Sequence, residues 1–139
     1  MRHIESLSLD EAQRLIAAGR RKAEDIGSPS AIAVVDAGGH LLAFARMDEA
    51  ILASVDIAIN KAFTSLATHF ATGDLADQAK PGGPFFGLQT TNQGRIVVFG
   101  GGIPLKHGKT ICGAVGVSGG TVEQDEAVAA AAAGAFQTD

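Results

Sequence analysis

Apolar residues recur at helical spacing in three segments of the chain, and this periodicity predicts three helices. The first covers residues 8–26 and begins with a capping box formed by Ser8 and Glu11. The second covers residues 51–70 and is apolar around most of its circumference, which predicts packing against the sheet and against a second subunit. The third covers residues 121–136, is rich in alanine and also begins with a capping box.

Short apolar runs separated by glycine-containing turns predict five strands. These are residues 31–35, 41–45, 95–99, 103–106 and 110–118. Since tight turns join neighbouring strands, the sheet is expected to be antiparallel. The predicted order α-β-β-α-β-β-β-α places the chain in the α+β class, with helices flanking a five-stranded sheet.

Residues 71–94 break the periodicity and are punctuated by glycine and proline. A loop of this length inside a compact domain is uncommon and is often functional. We expect short helical turns within it, near residues 75–79 and 85–88. Phe85 and Phe86 lie in this segment, where they either cover a ligand or pack in an interface.

Composition limits the classes of function. A chain of 139 residues predicts a single domain spanning residues 1–139. The net charge of −4 and the absence of a dense basic cluster argue against nucleic acid as a partner, and no apolar stretch is long enough to cross a membrane. The single cysteine, Cys112, lies in an apolar run, so we expect a buried thiol in a cytoplasmic protein.

Two charged residues follow the second predicted strand. Arg46 either pairs with a carboxylate of the protein or presents its planar guanidinium to the carboxylate of a ligand. Asp48 either caps the following helix or takes part in proton transfer. Both residues are therefore candidate site residues.

Lys61 is the one cation on a strip of small residues along the second predicted helix, formed by Ser54, Ala58 and Ser65. A lysine in such a place needs water or an anion for its ammonium group. It either extends its ammonium to water, pairs with Asp48 or Asp36, or serves a pocket as a cation, where a lowered pKa would allow base or Schiff-base chemistry.

The glycine turn before the fourth predicted strand is a further candidate. Gly101, Gly102 and Pro104 form either a wall that a ligand approaches closely or a plain turn. The histidines and the cysteine have no zinc-binding spacing, so no metal site is predicted.

Several strings occur together in an order typical of one known family: Val34–Leu41, Arg46–Asp48, Lys61–Ala62, Gly101–Pro104 and Gly113–Gly120, followed by Gln124–Asp125. On these motifs, and over about residues 5–136, the chain resembles the GlcG/HbpS family, which includes the C-terminal domain of PduO. The resemblance implies a profilin-like or PAS-like five-stranded sheet and a homo-oligomer, from dimer to octamer.

The resemblance also implies haem as a candidate cofactor, because some relatives bind haem and one group is linked to haem degradation. His40 and His107 lie in predicted turns, and each is either an axial haem ligand or an exposed turn histidine. Covalent attachment is excluded, because the chain lacks a Cys-x-x-Cys-His motif.

These observations lead to three hypotheses. In the first, a pocket between the long helix, the glycine turn and residues 71–94 binds haem or a carboxylated small molecule. Arg46 and Lys61 would then meet the carboxylates, and the apolar walls would be Phe85, Phe86 and Pro104. In the second, the pocket is that of a lyase, hydratase or isomerase acting on a small catabolic metabolite, with proton transfer by Lys61 or Asp48. In the third, the chain is an oligomeric accessory protein of a catabolic pathway.

Overall fold

One antiparallel sheet with helices on both faces forms the fold of residues 1–136, which are the residues that the computed structural model describes. The strand order is β2-β1-β4-β3. The elements in chain order are α1 (Leu9–Asp25), β1 (Ala31–Asp36), β2 (Leu41–Arg46), α2 (Ala53–Thr68), α3 (Thr72–Ala79), β3 (Gly102–His107), β4 (Thr110–Ser118) and α4 (Val122–Gly134), with 3-10 turns at Leu88–Thr90 and Asn92–Gly94.

Both predicted capping boxes are confirmed. The Ser8 hydroxyl accepts a hydrogen bond from the Glu11 backbone N–H, and the Glu11 carboxylate accepts one from the Ser8 N–H at 2.8 Å. Thr121 and Gln124 make the same reciprocal pair at the start of α4. Each box satisfies backbone donors that a helix end leaves without partners, so the starts of α1 and α4 follow from local sequence.

The central strand β1 is buried on both faces of the sheet. Ile32 and Val34 pack into the core that α1 and α4 cover, and Val35 packs on the opposite side against α2. Because side chains alternate along a strand, one apolar run supplies both cores. The chain is therefore a three-layer α+β fold with one sheet in the middle.

Helix α2 lies very close to the sheet. The contact is made by small residues, and a Cβ added at Gly116 would run into the backbone of Ala58 and Ala62. Only glycine fits at this point of β4, and its lack of a side chain lets α2 approach the strand. The small-residue strip of α2 is fully buried as a result.

The predicted five-stranded sheet is wrong, because the structure has four strands. Residues 95–99 are not a strand. The Val97 N–H donates to the Thr64 hydroxyl at 2.9 Å, and that hydroxyl lies 3.2 Å from the Arg95 carbonyl oxygen. A side chain of α2 therefore binds backbone groups that a sheet ladder would have used. The sheet is antiparallel and the fold is α+β, as predicted. Strand β3 is one of the two edge strands, and Pro104 lies on it.

The segment predicted as a long loop contains more regular structure than its composition suggests. Residues 72–79 form α3, and the two 3-10 turns follow it. The Thr72 hydroxyl accepts a hydrogen bond from the Gly102 N–H at 2.8 Å, which ties the start of α3 to the edge strand. The element order is therefore α-β-β-α-α-β-β-α rather than the predicted one.

Candidate functional site

Lys61 lies at the centre of a buried polar cluster between α2, β4 and α4. Its side chain is 0% exposed. The ammonium group donates hydrogen bonds to the Val117 carbonyl oxygen at 2.8 Å and to an Asp125 carboxylate oxygen at 3.1 Å. The lysine predicted to need an anion therefore finds one inside the protein, on the first turn of α4 rather than at Asp48.

Asp125 holds two parts of the molecule together. One carboxylate oxygen accepts the Lys61 ammonium, and the other accepts the Gly120 N–H at 2.9 Å. Its place in the first turn of α4 also lets its negative charge interact favourably with the helix dipole. The pair joins α2 to the start of α4 across the end of β4.

Burial and charge act on Lys61 in opposite directions. Removal of the ammonium from water lowers the pKa of Lys61 below its ordinary value of 10.5, and this is the largest effect. The charges of Asp125 and Glu126 raise it and partly compensate. The Phe99 ring centroid lies 5.0 Å from the ammonium nitrogen, which is within cation–π distance.

The glycine turn lies directly against this cluster. Gly101 has φ +128, and a Cβ added there would lie 2.5 Å from the Val117 carbonyl oxygen and 2.7 Å from the Lys61 nitrogen. A Cβ at Gly102 would lie 2.8 Å from the Ser65 hydroxyl oxygen. The turn lies close to α2, and the Lys61 side chain occupies the space beside it.

Arg46 and Asp48 lie at a different place on the surface. The Arg46 guanidinium donates to the Ala50 carbonyl oxygen at 2.8 and 3.1 Å. Both residues line a shallow cavity of about 280 Å³, which Arg20 and Glu24 of α1 also line. Helix α2 begins after Leu52 without a side-chain cap, so Asp48 is not its N-cap residue. The structure brings Arg46 and Asp48 together, but Lys61 is not among the residues that line this cavity.

Phe85 and Phe86 are among the more exposed apolar residues of the chain, at 56% and 64%. They lie between α3 and the first 3-10 turn. Pro104 is half-buried in β3. Whether these residues form the wall of a ligand site stays a prediction.

The two histidines named as haem-ligand candidates differ in their surroundings. His40 follows the β1–β2 turn, and its side chain is 83% exposed with one ring nitrogen 3.6 Å from the Asp36 carboxylate. His107, at the end of β3, has a ring nitrogen 2.9 Å from the Glu5 carboxylate. His107 lines a cavity whose lining also includes Glu5 and Glu11.

A third histidine, which the sequence did not single out, lines a cavity of its own. His69 caps the C-terminus of α2 in the left-handed region, at φ 67. The cavity next to it has a volume of about 460 Å³, and we call it the His69 cavity. Its other lining residues come from the N-terminal segment, the β1–β2 turn, α2, and the β3–β4 turn with the start of β4: Arg2, Ile4, Ala37, Gly38, Gly39, Phe63, Leu66, Ala67, Lys109, Thr110 and Ile111.

The His69 cavity was invisible to sequence reasoning because its walls come from four separate parts of the chain. The local signal at His69 was a helix end without glycine, where glycine is the usual residue. The partner of Lys61 could have been found more readily. Asp125 lies in the first turn of the helix predicted at residues 121–136, and a buried lysine needs such an anion.

Residues 1–136 contain neither a metal-binding cluster nor a membrane-spanning helix. Within residues 1–136 no group of three or more histidine, cysteine, aspartate or glutamate side chains is arranged to hold a metal ion. In the same range no helix is long and apolar enough to span a membrane. Cys112 is buried as predicted, and burial raises the pKa of its thiol.

Several proteins of known sequence or structure are similar to this chain. It is 44% identical over 133 residues to a 15.0 kDa protein from the dhaT-dhaS intergenic region of Citrobacter freundii, covering 96% of this chain and 94% of that protein. The crystal structure of the ORFY protein of Klebsiella pneumoniae matches with a TM-score of 0.96 and 42% identity, over 98% of this chain and 94% of the other.

One similar structure is a haem complex. The crystal structure of the PduOC:haem complex matches with a TM-score of 0.91 and 36% identity, over 96% of both chains. The family described as "Haem degrading protein HbpS-like" matches residues 7–134. The resemblance inferred from the motifs is thereby confirmed, and the chain belongs to the HbpS-like family.

Proposed function

We propose that this chain is a small-molecule-binding protein whose ligand is haem. The observation that supports the proposal is the likeness to PduOC, whose crystal structure is a haem complex, at 36% identity over 96% of both chains. A shared fold does not by itself fix a ligand, so the residues of this chain must also suit haem.

This chain has the types of side chain that a haem site needs. Haem needs a ligand to its iron, apolar contact with its ring and cations near its two propionates. The described surface offers the imidazoles of His40 and His69, and the His69 cavity adds apolar walls with two cationic side chains. Its volume of about 460 Å³ lies within the common range for ligand pockets, about 300–1,000 Å³. When bound, haem would supply an iron centre capable of redox chemistry, and this chain would bind and orient it.

The enzymatic alternative stays a prediction, and the geometry favours binding. Lys61 is 0% exposed and engaged by Asp125 and the Val117 carbonyl oxygen. Proton transfer to a substrate would require this ammonium to leave both partners. Asp48 is exposed and lies apart from Lys61, beside Arg46. Haem degradation and the accessory role likewise stay predictions.

A hemin titration of the purified chain tests the proposal. We expect a shifted Soret band that saturates at a fixed number of hemins per chain at micromolar concentration. The same titration of the chain unfolded in urea is the control, since unfolded apolar segments take up hemin without saturation. Absence of a saturable Soret change in the folded chain would refute haem binding.

A further inference from the structure

We propose, resting on the haem binding proposed above, that haem occupies the His69 cavity. His69 would be the ligand to the iron, and Arg2 and Lys109 would bind the propionates. The juxtaposition that carries the inference is one imidazole, two cations and an apolar wall around a single cavity.

Helix α2 forms the apolar wall of the cavity. Phe63 and Leu66 of α2 line the cavity, and the Arg95 guanidinium lies 4.0 Å from the centroid of the Phe63 ring. The β1–β2 turn also lines the cavity and comes close to the same two residues. A Cβ added at Gly39 would lie 3.2 Å from Leu66, and φ at Gly39 is +82. Glycine therefore lets this turn pack closely on the α2 wall of the cavity.

The charges of the cavity are complementary to an anionic ligand. Arg2 and Lys109 line it, and none of its lining residues is aspartate or glutamate. This arrangement contrasts with the whole chain, whose net charge is −4. Arginine and lysine bind carboxylates by charge-assisted hydrogen bonds, so a dicarboxylate such as haem suits this lining better than a neutral molecule does.

Three other cavities of the described residues suit haem less well. The groove between α1 and β2 contains Glu24 beside Arg20 and Arg21 and has no histidine. The cavity beside Arg46 carries Glu24 and Asp48 and also has no histidine. The cavity beside His107 is lined by Glu5 and Glu11, whose carboxylates would repel propionates.

His40 is the nearest rival ligand. It is exposed and follows the turn that forms one side of the cavity, but it is not a lining residue. Its ring nitrogen lies 3.6 Å from the Asp36 carboxylate, and Asp36 also accepts the N–H groups of Gly38 and His40. Single substitutions of the three histidines therefore separate the possible ligands.

The first experiment is hemin titration of His69→Ala beside His40→Ala and His107→Ala, followed by optical and electron paramagnetic resonance spectra of the ferric complexes. We expect His69→Ala to lose the histidine-ligated spectrum and to bind hemin about tenfold or more weakly. The other two variants should keep the wild-type spectrum. Loss of that spectrum in His40→Ala or His107→Ala, with His69→Ala unchanged, would overturn the assignment.

The second experiment fills the cavity with a large side chain and leaves the proposed iron ligand, His69, unchanged. Ala67→Trp places a large side chain in the cavity from an exposed position of α2, and Ala17→Trp, in the groove of α1, is the matched control. We expect about a tenfold or greater loss of hemin affinity for Ala67→Trp and no loss for Ala17→Trp. Equal affinities, or a loss only in Ala17→Trp, would overturn the proposed location.

A charge reversal covers the case in which Ala67→Trp does not fold. Lys109→Glu changes an exposed residue of the β3–β4 turn, and Lys106→Glu changes an exposed residue of β3 that does not line the cavity. We expect about a two- to fivefold or greater loss of hemin affinity for the first variant alone. Equal losses for both would overturn the location. If the wild-type chain does not bind hemin, the proposed function itself fails. If the wild-type chain binds hemin and no variant of the His69 cavity changes that affinity, only the proposed location is overturned.

Discussion

Two cationic regions lie along α2, and they use charge differently. In the first, the Lys61 ammonium is fully buried and bonded to Asp125. In the second, about two helical turns further on, Lys109 and Arg2 surround the His69 cavity, whose lining contains no carboxylate. Residue type alone indicated only the first region as a candidate ligand site. Burial separates them, because a buried cation must find its anion within the protein, whereas an exposed one can bind an anion from solution.

This difference also divides structural from binding roles. A buried ion pair contributes little net stability when it is complete, but removal of one partner leaves an uncompensated charge in the interior. An exposed cation can be replaced at little cost to stability. Matched substitutions in the two regions should therefore give opposite patterns of lost stability and lost ligand affinity.

The largest expected effect is that of Lys61→Met compared with Lys109→Met. Removal of the Lys61 ammonium leaves the Asp125 carboxylate buried without its cation, so we expect the free energy of unfolding to fall by about 3–5 kcal/mol. Lys109 is exposed in a turn, and its substitution should change that free energy by about 0.5 kcal/mol or less. Urea denaturation followed by circular dichroism measures both. Similar stabilities for the two variants would remove the distinction between the regions.

A smaller effect is expected from the glycine turn that packs on Lys61. Gly101→Ala would force a side chain against the Val117 carbonyl oxygen at φ +128, and we expect a loss of about 2–3 kcal/mol. Gly108 also has positive φ, +62, but an added Cβ there meets nothing within 4 Å. Gly108→Ala should therefore lose only about 1 kcal/mol. Equal losses in thermal or urea unfolding would show that the close approach to Lys61 does not matter.

The pH dependence of stability gives the smallest and most specific effect. Burial lowers the pKa of Lys61 below 10.5, so between the folded-state value and 10.5 the unfolded chain binds more protons. The stability of the wild type relative to Lys61→Met should therefore rise with pH across that window, by at most about 1.4 kcal/mol per pH unit. The comparison cancels the opposite effect of Cys112, whose raised pKa weakens stability at high pH. A flat or falling difference in urea-derived stability would contradict the assignment.

Local signals predicted much of the fold. The capping boxes, the first hairpin and the long apolar helix each depend on residues close together in sequence, and each is present. The error at residues 95–99 has a long-range cause. The run has the residue types of a strand, but the Thr64 hydroxyl of α2 binds its backbone groups. A hydrogen bond across 33 residues cannot be inferred from local composition.

The site was less predictable for the same reason. The sequence indicated that Lys61 on its strip of small residues needs water or an anion, and the structure places that strip close to the glycine turn. The space beside Lys61 holds a complete ion pair rather than an open pocket. This outcome depends on where α4 begins relative to α2. The His69 cavity needs four separate parts of the chain to be brought together, and His69 itself carries no motif.

The position of α2 over Gly116 limits how this fold can diversify. A side chain at that point of β4 would collide with the helix backbone, so the middle of α2 can neither lift away nor rotate without disrupting the sheet contact. Variation that preserves the fold is confined to the two ends of the helix and to its outer face. New specificities in proteins of this architecture would therefore arise at the helix ends, where the turns can change length and composition while the central layer stays constant.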